Sequence, residues 1–211
     1  MNEHRETETE TERWERRYAA SDQLWSGRVN PVLREHAAAL EPARSLDIGC
    51  GEGADVLWLA EQGWSASGVD LSATAVQRAR TEAGRRGLGE RAHFTAGDVL
   101  DGAGSGEFDL VTGFFLHGDD ALRASLLRRA AAGVAPGGRL LLVSHATMPP
   151  WSGHPPQEVP ISPEGDEEIL DLGADWQRER AELRERSVTG PNGESAVLTD
   201  SVLLLRRGSA L

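Results

Sequence analysis

The sequence predicts an α/β protein in which a mostly parallel sheet carries helices on both faces. Three observations predict it. Short apolar runs alternate with helical segments of about 10 to 15 residues, the spacing that crossover connections between parallel strands require. Three glycines, Gly49, Gly51 and Gly53, stand where the first of these runs gives way to a helix. The last quarter breaks the rhythm with two long β-like runs on either side of Gly190-Pro-Asn-Gly193, a turn that joins neighbouring antiparallel strands.

The elements follow in order. Residues 3–12 alternate Glu with Thr and have almost no apolar content, so 1–13 is expected to be a disordered acidic tail ahead of one domain over 14–211. Asn30 is a good N-cap and Pro31 suits a first helical position, so Val32 to Leu40 reads as a short amphipathic helix. Strands are then expected at Arg44 to Ile48, Ala66 to Asp70, His93 to Ala96, Phe108 to Leu116 and Arg139 to Ser144. Helices fall between them at Gly53 to Gln62, from the Ser72 cap towards Arg86, and at Asp119 to Ala132. A Pro-rich insertion, 149–163, precedes a short helix from Ser162 to Leu172 and the final runs Trp176 to Val188 and Ala196 to Leu205, which bring the strands to seven.

Composition narrows the function. A chain of 211 residues, 39% apolar, suffices for one well-buried domain. A formal charge of −12 repels phosphate backbones and anionic membranes, which points to a small-molecule substrate and away from nucleic acid or membrane partners. The single cysteine, Cys50, rules out an internal disulfide and a cysteine-based zinc cluster, in keeping with a reducing cytoplasm and with no metal. No run approaches the roughly 20 apolar residues of a membrane span, and the acidic start is the opposite of a signal peptide.

Glycines at a strand-to-helix turn let a ligand approach the backbone. Asp70, 21 residues beyond Gly49 at the end of the next strand, is placed to accept hydrogen bonds from ribose hydroxyls. Together they predict an adenosine ligand. Gly49-x-Gly51-x-x-Ala54 also satisfies a loose dinucleotide fingerprint, so an NAD(P)-binding oxidoreductase is the competing reading. Charge favours the other ligand: Asp47, Glu52 and Asp55 around the loop oppose a pyrophosphate but suit the ammonium and sulfonium of S-adenosylmethionine.

Leu46-Asp-Ile-Gly-Cys-Gly-Glu-Gly53 resembles motif I of the class I methyltransferases. Gly68-Val-Asp-Leu-Ser72, Gly97-Asp98-Val99, Phe108-Asp-Leu-Val111 and Ala135-Pro-Gly-Gly-Arg-Leu-Leu141 resemble that family's later strands, from about Trp14 to the C-terminus. The resemblance implies a Rossmann-like doubly wound sheet of order 3-2-1-4-5-7-6 with its last pair antiparallel. It also implies methyl transfer from S-adenosyl-L-methionine, leaving S-adenosyl-L-homocysteine. The donor would be held by Asp47, Gly49, Cys50 and Gly51 at the methionine end, Asp70 and Leu71 at the ribose, and Asp98 and Val99 at the adenine. Trp14-x3-Tyr18-x6-Trp25-Ser-Gly-Arg-Val-Asn-Pro31 is similar to the lead-in of thiopurine, tellurite-resistance and halide/thiol methyltransferases, which implies that 14–42 forms a lid with Trp14 and Trp25 over the donor. A non-catalytic module that only binds the donor is a further reading.

Methyl transfer needs a nucleophile held about 3 Å away in a dry pocket more than it needs acid–base groups. Where a base helps, histidine is the natural choice. His117 follows the fourth strand and His145 ends the fifth, at the carboxyl edge where open α/β sheets bind ligands, so both are candidate catalytic residues. Phe114 or Phe115, alternating across a strand, lines the pocket. Trp151 and His154 lie in the insertion, and His93, Trp58, Trp64 and Trp176 read as structural. Arg123, Arg128 and Arg129 read as the solvated face of a helix. A monomer or homodimer is expected.

Overall fold

Strand β1 (Arg44–Ile48) is buried at every position after its first, as a central strand covered on both faces must be. In the computed structural model, which describes residues 8–152, 160–190 and 192–209, it lies at the centre of a seven-stranded sheet ordered β3-β2-β1-β4-β5-β7-β6. β1 pairs in parallel with β2 (Ser65–Asp70) and β4 (Phe108–Phe114), β2 with β3 (Ala92–Ala96), and β4 with β5 (Val134–His145). β7 (Ser195–Arg207) runs antiparallel to β5 and to the edge strand β6 (Trp176–Thr189). This is the Rossmann-like order expected from the resemblance.

Two apolar cores follow from the period-two alternation of the strands. Leu141 and Val143 of β5, with Val202 and Leu204 of β7, face one way, onto Val32 and Leu33 of α2 (Pro31–Ala37), Leu57 of α3 (Ala54–Glu61) and Val76 of α4 (Ala73–Arg85). Leu140, Leu142, Leu203 and Leu205 face the other way, with Leu127 of α5 (Asp120–Ala132) and Leu170 of α6 (Pro163–Leu170). Each fully buried leucine or valine contributes roughly 1.5–3 kcal/mol by leaving water.

β5 begins at Val134 instead of Arg139, and three further expectations change. Residues 10–13, expected in the tail, form the first turn of α1 (Glu10–Ala19). A reciprocal cap starts it: Thr9 N donates to Glu12 Oε2 at 2.9 Å and Glu12 N to Thr9 Oγ1 at 3.2 Å. Residues 1–7 of the expected tail, and His154 with 153–159 of the insertion, lie outside the described residues. β4 stops at Phe114 instead of Leu116, because Phe115 takes a left-handed backbone with φ 53°.

Arg123 corrects the third expectation. It is not on a solvated face: α6 folds over α5, and Arg123 Nη2 meets Asp166 Oδ1 at 2.7 Å with both side chains under 10% exposed. The same nitrogen reaches Ser144 Oγ at 3.1 Å. Arg128 donates to Ile169 O and Arg129 to Val99 O, so these too tie α5 to its neighbours. Burial pushes the Asp166 carboxyl up and Arg123 pulls it back. Arg123→Ala strands that carboxylate, so urea unfolding near pH 8 should show a loss of about 3–5 kcal/mol. A loss below about 1 kcal/mol would mean the pair does not hold α6 on α5.

Candidate functional site

Between β1 and α3 the chain reverses through Gly49, Gly51 and Gly53, with φ of 73°, 53° and 82°, a region that favours glycine. Its amides turn inward. Gly49 N and Cys50 N donate to Val69 O at 2.8 and 3.0 Å, and Gly51 N to Asp70 Oδ2 at 2.8 Å. The other Asp70 oxygen accepts from Ser72 N at 2.9 Å. With these donors committed, Gly49 to Gly51 offers a ligand carbonyl oxygens and not the amide cradle a pyrophosphate uses.

Acidic groups lie behind the loop. Asp47 is fully enclosed and accepts from Thr112 Oγ1 at 2.7 Å; Asp55 accepts from Asn30 N at 2.6 Å. Those partners among the described residues are a hydroxyl and an amide, not a cation. Burial, and then the charge of Asp55, push the Asp47 carboxyl well above its usual range, and burial pushes Asp55 up to about 6. Asp70 is raised as well, first by burial, against the pull of the Ser72 and Gly51 amides. Buried carboxylates beside carbonyl oxygens fit the ammonium end of an S-adenosyl ligand, and Asp70 at the tip of β2 fits its ribose.

The N-terminal segment closes over this loop. Tyr18 Oη lies 2.7 Å and the Trp25 ring 3.3 Å from where a Cβ on Gly51 would sit, and Trp25 Nε1 donates to Tyr18 Oη at 2.8 Å. Burial pushes the Tyr18 hydroxyl far up, so it stays protonated. Carboxylates hold the segment down. Glu52 accepts from Leu24 N and Trp25 N at 3.2 and 3.1 Å and pairs with Arg78 at 3.0 Å, while Arg78 also reaches Ser21 O at 2.6 Å. Glu15 of α1 accepts from Ser72 Oγ at 2.6 Å and from the Thr74 hydroxyl at the start of α4. Of the three acids grouped around the loop in the sequence, Glu52 and Asp55 therefore anchor the lead-in, and Asp47 turns to the sheet.

A second group of side chains meets at the carboxyl ends of β4 and β5. The Trp14 ring lies 6.1 Å from Tyr18 and 5.7 Å from His117; His117 lies 6.5 Å from His145, which stacks on Phe115 at 4.2 Å. The two expected histidines thus come together, joined to the glycine loop through Tyr18 and Trp14. His145 Nδ1 sits 3.1 Å from Asp200 Oδ1, and Arg186 Nε 2.5 Å from Asp200 Oδ2. Arg17 stacks on both Trp14 and Trp25, at 5.0 and 5.4 Å from the ring centres.

The remaining candidates lie along the same edge. Leu71 and Asp98 are half-buried, and Asp98 Oδ1 accepts from Leu100 N at 2.8 Å. Val99 is buried in the core under α5, and Phe114 is half-buried against the opposite core. Cys50 packs on Gly68, where a Cβ would come within 2.7 Å of its sulfur, and burial pushes its thiol up, so it is a packing group and not a nucleophile. Arg78, Glu15, Asp200 and Arg186 escaped sequence reasoning, and Tyr18 entered it only as part of the lead-in motif, with no role of its own. Only Tyr18, one helical turn beyond Trp14, left a signal there.

Sheet order, glycine loop and buried acids agree with the class I methyltransferase resemblance. A methyltransferase-domain family model matches residues 46–138. The chain is 30% identical over 201 residues to thiopurine S-methyltransferase of Pseudomonas putida (strain GB-1), covering 82% of this chain and 86% of that protein. It is 28% identical over 165 residues to probable thiol methyltransferase 2 of Arabidopsis thaliana, 76% of this chain and 72% of that one. A solved structure described as "Conversion of a Disulfide Bond into a Thioacetal Group during Echinomycin Biosynthesis" matches with a TM-score of 0.74 at 25% identity, covering 94% of this chain and 93% of that chain. The chain spans about a third, 34% and 32%, of the ribosomal RNA small subunit methyltransferase C proteins it also matches. The chain belongs to the class I S-adenosylmethionine-dependent methyltransferases, close to their thiopurine-type members, and is an enzyme of that class. Among the described residues no helix is long and apolar enough to cross a membrane.

Asp55 provides a pH test. Its carboxyl is raised in the folded state, so the folded protein keeps a proton that the unfolded chain releases. The stability tied to that proton is present below about pH 4, the unfolded value. It is lost as the pH rises towards about 6. Asp55→Asn escapes this loss while still accepting from Asn30 N, so its melting temperature relative to the parent should climb between pH 4 and pH 7. A flat difference would mean that Asp55 titrates as it does in the unfolded chain.

Proposed function

We propose that this enzyme methylates the sulfur of a small-molecule thiol, and one observation carries the reading. Trp14, His117, Phe115 and His145 form an aromatic and imidazole cradle at the carboxyl ends of β4 and β5, connected through Tyr18 to the glycine loop. A cradle walled by rings and a closed lead-in suits a small, partly apolar acceptor. The names of the relatives, a thiopurine S-methyltransferase and a probable thiol methyltransferase, support sulfur as the acceptor atom. The charge of −12 supports a metabolite over a nucleic acid or a membrane surface. We also infer a cytoplasmic monomer or homodimer, organised as one domain from α1 onwards, and no requirement for a metal.

When bound, S-adenosylmethionine supplies a methyl group on a positively charged sulfur, open to in-line displacement. The residues of the chain divide the remaining work. Asp70 accepts from the ribose hydroxyls with Leu71 beside it, and Asp98 and Val99 receive the adenine edge. Asp47 and the backbone of Gly49, Cys50 and Gly51 hold the ammonium, while Trp25 and Phe114 flank the donor. His117 and His145 face the acceptor and take up its proton. The committed amides of the glycine loop weigh against the NAD(P) reading. The paired histidines favour turnover over simple binding.

Calorimetric titration with S-adenosylhomocysteine tests the donor site. The parent should bind, and Asp70→Ala should bind roughly 10- to 100-fold more weakly, because a charged acceptor contributes about 1.5–3 kcal/mol. Binding of NADH in place of S-adenosylhomocysteine would reverse the assignment. Incubation with labelled methyl donor and a set of small thiols, alcohols and amines should give labelled thioethers ahead of ethers or methylamines, and the reverse order would move the acceptor to oxygen or nitrogen.

A further inference from the structure

The antiparallel half of the sheet contributes a carboxylate that the family motifs do not include. Asp200 of β7 lies opposite His145 of β5 in the strand register, so both side chains project from the same face. Asp200 Oδ1 is 3.1 Å from His145 Nδ1, and its Oδ2 is 2.5 Å from Arg186 Nε on β6. The Asp200 side chain is 7% exposed, and Arg186 beside it is 37% exposed. Burial acts to raise the Asp200 carboxyl, yet its His145 and Arg186 partners together hold it below the usual aspartate range, so it is an anion able to accept a proton held at Nδ1. Arg186 Nη2 is farther from Nδ1, at 3.4 Å, which leaves Asp200 as the partner that selects the tautomer. Phe115 stacks on the imidazole at 4.2 Å from its strained backbone position and limits rotation of the ring.

We propose that Asp200 is a positioning residue that fixes His145 with Nδ1 protonated, so that Nε2 is a base for an acceptor that arrives as a neutral thiol. This rests on the thiol reading above and adds the protonation state of the acceptor. Nε2 takes the S–H proton as the acceptor sulfur forms its new S–C bond. The donor's S–C bond breaks, its electron pair stays on the donor sulfur, and the imidazolium later returns the proton to water. Other charged groups facing His145 leave this role to Asp200. Arg186 is held on Asp200, and His117 approaches from the β4–α5 loop at 6.5 Å between ring centres. On the same face of β6, Arg184 is paired with Glu35 and Glu182, and Arg17 of α1 stands beyond Trp14.

The test compares two acceptors at pH 7 with saturating methyl donor: 2-mercaptoethanol, a protonated thiol there, and 4-nitrobenzenethiol, already a thiolate. Asp200→Asn should lower kcat for 2-mercaptoethanol by about 10²- to 10⁴-fold, the usual contribution of a positioned base. For 4-nitrobenzenethiol it should lower kcat by less than about 10-fold, with S-adenosylhomocysteine affinity little changed. His145→Gln should show the same selectivity, and the double variant should be no worse than either single one. Equal losses with both thiols, or no loss with 2-mercaptoethanol, would overturn the proposal. If Asp200→Asn does not fold, His145→Gln decides: a selective loss supports the base, and an equal loss overturns it. A parent enzyme that binds S-adenosylhomocysteine but methylates neither thiol overturns the thiol reading and this proposal with it, and is recognised because the parent itself is inactive.

Discussion

The loop after β1 is tied to β2, and much of the molecule depends on that tie. Val69 O accepts two successive amides, Gly49 N and Cys50 N, and the Asp70 carboxylate accepts a third, Gly51 N. Three amides drawn inward force the loop through left-handed conformations, hence its glycines. The same constraint extends to Gly68, where a side chain would collide with Cys50. It also decides the chemistry of the site, because a loop whose amides are consumed presents oxygen to its ligand. A cation is then preferred over a phosphate.

Acidic residues do two jobs around this loop, separated by depth. Asp47, deepest, is left with a hydroxyl partner and a suppressed tendency to ionise, so a bound ammonium would lower its energy most. Glu52 and Glu15 lie nearer the surface, where their charges are met by backbone amides, hydroxyls and Arg78. Their function there is mechanical: Glu52 fastens the N-terminal segment to the glycine loop and Glu15 fastens it to the start of α4. The lead-in and the glycine loop are therefore coupled, since Glu52 belongs to the loop and also holds Trp25.

The histidine-lined edge has a different origin. Parallel strands end together at one edge, which brings His117, just after β4, close to His145 at the end of β5. The antiparallel β6–β7 pair then brings its own side chains to that edge from the opposite chain direction, and Asp200 and Arg186 come with it. The glycine loop and its acids thus come from the first half of the sheet, and the groups behind the histidines from the second.

By itself, the sequence determined the order of strands and helices, the glycine loop, the acids near it and the two histidines, because these depend on local periodicity, on backbone conformations open to glycine and on motif spacing. The start of α1 has no apolar periodicity to mark it, because Thr9 and Glu12 form its cap in a stretch without apolar residues. Tertiary structure alone decided what the charged residues do. Arg123 looks like a surface arginine until α6 folds over α5, and Glu52 looks like a ligand group until Leu24, Trp25 and Arg78 reach it. Asp200 has no local mark at all, since its partnership with His145 exists only through the register of β5 and β7, 55 residues apart in the chain. Local signals give elements and loops; the partner of a charge is set by long-range packing, which no short stretch of sequence encodes.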